Sequence, residues 1–109
     1  MGFHKILKMN FEEFRNSIET ELKSIAEFEL QEYHFEPFSF GNGILAYRIK
    51  GQNHKFIFDG RENELTWMVS KPHQKYFGAT YKEILRMDCL ELEKDKIEKE
   101  IKNSAQQWL

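Results

Sequence analysis

The 109-residue sequence holds one cysteine, Cys89, and only two prolines and six glycines. A lone thiol cannot bridge within its own chain, so no disulfide framework supports the fold and a reducing compartment is expected. No run approaches the ~20 apolar residues that span a bilayer. The opening MGFHKILK is too short and too charged for a secretory signal. A soluble cytoplasmic protein is the expectation. The histidines, at positions 4, 34, 54 and 73, make no close pair in sequence, whereas zinc sites announce themselves by ligands a few residues apart. They read as surface histidines, with no metal site and no cofactor. The glycines form no phosphate cradle, because Gly41-Asn42-Gly43 opens a strand and not a helix. No nucleophile has a base and an orienting group beside it; Cys89, just inside an expected helix N-terminus, reads as a small buried hydrophobe. An enzyme is not expected.

What the sequence does have is rings and segregated charge. Ten Phe, four Tyr and two Trp each bring a large apolar area, enough to build one core in a single domain over residues 1–109. The net charge is −2, but residues 11–36 carry eight Glu against Arg15 and Lys23, while residues 37–87 carry eight basic side chains against four acidic ones. An acidic first helix beside a basic middle makes a dipolar surface suited to steering a charged partner. Part of the acidity also follows from Glu being a good solvated helix former.

Phe11, Phe14, Ile18, Leu22 and Ile25 recur at spacings of three and four behind Asn10, a suitable N-cap. That pattern predicts a helix ending near Phe28. The period then changes to two. Tyr33 and Phe35 alternate with polar neighbours, and Phe38 and Phe40 resume in the other phase beyond Pro37, which predicts an edge strand bulged or broken at Pro37. Gly41-Asn42-Gly43 reads as a turn that needs positive φ. ILAYRIK (44–50), HKFIFD (54–59) and ELTWMVS (64–70) follow as strands, joined by turns at 51–53 and 60–63. Connections this short join antiparallel neighbours. Leu45, Tyr47, Ile49, Phe56, Phe58, Leu65, Trp67 and Val69 then share one face. Ala46, Arg48, Lys50, Lys55, Ile57, Asp59, Thr66, Met68 and Ser70 share the other, which is expected to meet solvent or a partner. Thr80 with Glu83, and Asp88 with Glu91, match capping boxes. They predict a short helix from Tyr81 to Arg86 and a longer one from Cys89 onward, with Ile97, Ile101, Ala105 and Trp108 as its stripe. The expected fold is two-layer α+β: an N-terminal helix, a four-stranded antiparallel meander and a C-terminal helix, both helices on one sheet face.

Between Trp67 and the Thr80 cap lies VSKPHQKYFGA. Pro72 ends ladder pairing, the polar run must stay at the surface, and Tyr76 and Phe77 return apolar mass to the sheet. Lys71, His73 and Lys75 are left without a structural task. Single-stranded nucleic acid would need rings on the open face, and alternation sends them inward, so nucleic-acid binding is not expected. A protein partner is. The first candidate surface is the acidic helix, Glu12, Glu13, Glu19 and Glu21; the second is the basic strand face with its loop, Arg48, Lys55, Lys71, His73 and Lys75.

The order of acidic helix, Trp-bearing meander and closing helix, with NELTWMVSKP at its centre, resembles frataxin. That resemblance implies iron handling through Glu12, Glu13, Glu19 and Glu21. In general character, small, slightly acidic and without catalytic machinery, the chain is also similar to bacterial immunity proteins, which bind and block a toxin domain. This implies a toxin-neutralising module that works by surface complementarity. Sequence alone leaves open the oligomeric state and which charged patch meets the partner.

Overall fold

In the computed structural model, which describes residues 11–36, 38, 42–88 and 94–109, the first apolar stripe becomes helix α1, Phe11–Lys23. Glu12 and Glu13 sit at its positive end and Lys23 at its negative end, each stabilised by the helix dipole. Phe11, Phe14, Ser17, Ile18 and Leu22 are buried. The helix stops short of Phe28. Ile25 and Ala26 instead donate their N–H groups to the Leu22 carbonyl, and Phe28 enters a strand opposite Ile49.

Five strands follow: β1 Phe28–Glu36, β2 Asn42–Ile49, β3 Gln52–Asp59, β4 Glu64–Ser70 and β5 Tyr81–Asp88; helix α2, Lys94–Trp108, closes the chain. They form one antiparallel sheet in sequential order. The α+β meander between two helices is as expected, with one more strand than expected. Residues 81–88 are that strand and not the short helix. Leu85 and Met87 lie opposite Trp67 and Leu65, so pairing supplies β4 with a neighbour and extends the core. A lone capping motif offers much less than eight residues of ladder. β1 runs to Glu36 with a register shift at Gln31, between Leu30 and Glu32; the break expected at Pro37 falls outside the described residues. So do Phe40, Gly41, the Asn10 cap, Cys89 and Glu91.

The hairpin turns follow backbone chemistry. Lys50 and Gly51 have φ of 51° and 76° between the paired residues Ile49 and Gln52, a two-residue turn whose twist matches that of the strands. The turn therefore lies one residue earlier than the sequence suggests. After β3, Asp59 Oδ1 accepts the N–H groups of Arg61 and Glu62, and Asn63 closes the turn at φ 55°. Gly43 is not in the positive-φ group; it is a strand residue, and a Cβ there would collide with the Phe11 ring.

The helix-side face is the core, as alternation predicts. Leu45, Tyr47, Ile49, Phe56, Phe58, Leu65, Trp67 and Val69 are all buried, joined by Phe14, Ile18 and Leu22 of α1 and Ile101 and Ala105 of α2. His54 belongs there too. It is fully buried, which corrects its reading as a surface histidine. Its parity with Phe56 and Phe58 puts it on the inward face, opposite Val69 and Tyr47.

The opposite face is only partly open. Residues 71–80 cross it as a strap. Gln74 O accepts from Arg48 Nη1 (3.0 Å) and Asn53 Nδ2 (2.8 Å). The Tyr76 hydroxyl reaches across to Glu32 of β1. Glu32, Ala46 and Lys55 form one cross-strand row, so the Tyr76 ring, bonded at one end of the row and near the Lys55 ammonium at the other, covers Ala46. Ala46 and Asn53 are accordingly fully buried, although alternation alone sends them outward.

Candidate functional site

Two surfaces compete, and the structure treats their residues differently. On α1, Ser17 reaches Glu98 of α2 (Oγ–Oε2 2.8 Å). Glu13 and Glu21 stand four residues either side of Ser17 and so share the α2 side of the helix. Glu12 and Glu19 lie on the β1 side. Glu12 accepts the Tyr33 hydroxyl (2.8 Å), while Glu19 accepts Arg15 Nε (2.8 Å) and the Tyr47 hydroxyl (2.9 Å). Burial first, and then the Glu19 carboxylate, push the Tyr47 phenol far above its ordinary pKa, so Tyr47 stays a neutral donor. Arg15 also lies over the Tyr33 ring, 4.8 Å from its centre. The four glutamates therefore do not converge. Among the described residues, no three His, Cys, Asp or Glu side chains come together as a metal-holding group.

The basic candidates divide as well. Arg48 is held by Asn53 Oδ1 and Gln74 O, both at 3.0 Å. Lys55 sits 4.4 Å from the Tyr81 ring centre and 5.1 Å from that of Tyr76, a cation–π clamp that fixes the strap. Each of these two cations contacts residues 71–80 from the sheet, Arg48 through Gln74 O and Lys55 through the Tyr76 ring, and holds structure together. Lys71, His73 and Lys75 remain exposed on the strap. His73 takes φ 64° and donates its N–H to Gly51 O (2.8 Å), so its backbone anchors the strap while its ring faces out. Phe77 is 83% exposed; of the two rings expected to return to the sheet, only Tyr76 does.

The more coherent surface is one the charge pattern only hinted at. β1 is a sheet edge whose residues Leu30, Tyr33 and Phe35 are 40, 41 and 38% exposed on the helix side. Phe35 stacks on Phe11 with ring centres 4.9 Å apart, and Tyr33 tilts against the same ring. Glu29, Glu32, His34 and Glu36 pair with outward-facing residues of β2 and so line the other side. At the far end His34, Glu36, Asn42, Ile44, Ile57 and Asp59 line a hollow of about 470 Å³, with His34 Nε2 2.8 Å from Glu36 Oε2. Together with Glu12 and Glu19, the edge is an apolar strip bordered by carboxylates. The signal available in sequence was the density of Glu between 27 and 36; assigning those residues to a strand edge needed the sheet.

His54, like Tyr47, is a buried titratable group of the core. Trp67 Nε1 donates to its Nδ1 (3.1 Å), which fixes the tautomer with the proton on Nε2, and Nε2 has no acceptor among the described residues. Burial pushes its pKa down to about 4. Fully enclosed, it contacts no surface substrate. No helix of the described residues is long and apolar enough to cross a membrane. Comparison with family models, with curated proteins and with solved structures gives no match.

Proposed function

We propose that this is a small non-enzymatic protein-binding module that blocks a basic partner by covering it, in the manner of a bacterial immunity protein acting on its toxin in the cytoplasm. The observation that carries this reading is the β1–α1 side. Leu30, Tyr33 and Phe35 stay about two-fifths exposed in a strip beside Glu12, Glu19, Glu29 and Glu36. Partly exposed aromatics supply anchoring area, and a rim in which carboxylates outnumber the one cation, Arg15, speeds encounter with a basic partner. Neither surface named from sequence stands whole: only Glu12 and Glu19 of the acidic helix border this strip, and Arg48 and Lys55 of the basic face are occupied by the strap.

The test is capture and protection. Expressed together with the product of a toxin-like reading frame adjacent to its own, the protein should be isolated as a complex with that product and protect the cell. Reversing Glu12 and Glu29 to Lys should slow association at least tenfold at low salt, with a smaller effect at high salt. Unchanged rates on both reversals, or no protection from that adjacent product, sink the reading. The iron role implied by the frataxin resemblance is decided by amide spectra during ferrous and ferric titration: saturable shifts confined to residues 12–21 would support it instead.

A further inference from the structure

Resting on the protein-binding reading, we infer how the partner is seated: an extended basic segment adds to β1 as a sixth strand, with one cationic side chain in the hollow at the end of the edge. β1 is nine residues long and, among the described residues, pairs only with β2. From Glu32 to Glu36, beyond the register shift at Gln31, its other side presents backbone N–H and C=O groups in strand spacing, a template for strand addition.

The alternation of β1 specifies what would pair with it. Phe28, Leu30, Tyr33 and Phe35 match inward residues of β2, while Glu29, Glu32, His34 and Glu36 match outward ones. An added strand shares those two faces. Its residues on the helix side should be apolar, to cover the exposed parts of Leu30, Tyr33 and Phe35; those on the other side should be Lys or Arg. The hollow fits the second set. Ile44, Ile57 and Phe58 wall it; at its polar side stand Glu36, which meets His34 Nε2 through Oε2, and Asp59, whose Oδ1 holds the turn, so a long cationic side chain with an apolar stem would bring its charged head to the remaining carboxylate oxygens.

A second copy of this chain is a poor occupant. β1 carries Glu29, Glu32 and Glu36 and no Lys or Arg, so edge-to-edge pairing would set carboxylate against carboxylate. The other edge, β5, lacks this character. It mixes Lys82 and Arg86 with Glu83 and Asp88, and Arg86 is already paired with Glu83 and Glu64, both at 2.7 Å.

The experiment uses the full chain and a synthetic octapeptide alternating Val with Arg or Lys, capped at both ends. A control of identical sequence is N-methylated at alternate backbone nitrogens. The peptide should raise hydrogen-exchange protection of β1 amides at least tenfold, and the control should bind at least tenfold more weakly. Glu29→Lys and Glu36→Lys, both changes at exposed side chains, should weaken the peptide tenfold each without altering the thermal midpoint. Equal binding by peptide and control overturns strand addition, as does protection gained on β5, absence of peptide binding, or a β1-mediated dimer in sedimentation. In each of those cases capture of a basic toxin by the intact protein would still uphold the binding reading. Failure of capture together with indifference to charge reversal would remove the reading itself.

Discussion

His54 and Trp67 show how one inward histidine ties stability to pH. The neutral ring accepts the indole proton, and burial holds its pKa near 4, against about 6.5 when unfolded. Between those values the unfolded chain binds the extra proton and the folded chain does not. This contribution to stability is therefore full above pH 6.5 and is lost as pH falls toward 4. By pH 5 the loss should be about 2 kcal/mol, read from urea unfolding at pH 7 and pH 5. His54→Gln keeps an acceptor for Trp67 but cannot titrate; its difference between the two pH values should be smaller than that of the parent by this amount. Gly43 makes a second residue-scale prediction. The Phe11 ring lies against its backbone and stacks on Phe35, the cross-strand partner of Gly43. Gly43→Ala must displace Phe11 and should cost roughly 1–3 kcal/mol, measured as a shift in the unfolding midpoint.

At the scale of elements, the strap decides how much of the sheet is open. Residues 71–80 are held by Gln74 O, by the Lys55 clamp and by the Tyr76 hydroxyl on Glu32. Burial, and after it the Glu32 carboxylate, raise the Tyr76 phenol well above its usual pKa, so it stays a donor at neutral pH. Tyr76→Phe removes only that donor. It should cost about 1–2 kcal/mol, and amides of residues 74–78 should exchange faster than in the parent while those of β3 do not change. Loss of protection spread evenly over the sheet would show that the hydroxyl does not hold the strap. The N-terminal helix and the three middle strands were legible because their periods, 3.6 and 2, are undisturbed by neighbours. β5 was not: Thr80 and Glu83 satisfy a helix-capping pattern locally, and only the open side of β4 overrides it. The strap was half legible. Pro72 ends β4, yet nothing local says that Tyr76 returns over the face opposite the helices.

For the whole molecule, consecutive strands in consecutive order put the burial in the middle of the sheet. Phe56, Leu65 and Trp67 of β3 and β4 are buried beneath both helices, while β1 residues are exposed or half-buried throughout. Native-state hydrogen exchange should therefore be slowest in β3 and β4 and fastest in β1, with the gap reaching at least tenfold. Equal protection across all five strands would contradict an open β1 edge. The segregated charge belongs to the same scale. Contiguous in sequence over residues 11–36, the glutamates are divided in space between the α2 side of α1 and the β1 side with the strand edge, so a single acidic helix patch does not exist.

What the sequence alone determined is the inward set, the rings from Leu45 to Val69, because strand parity and helical spacing are local properties of the chain. The tertiary structure decided which polar residues went with them and which surface was left. His54 and Asn53 are buried, Arg48 and Lys55 are held by the strap, and β1 stands as an acidic, half-apolar edge, since each of these depends on which segment lies alongside another and not on the order of residues within it.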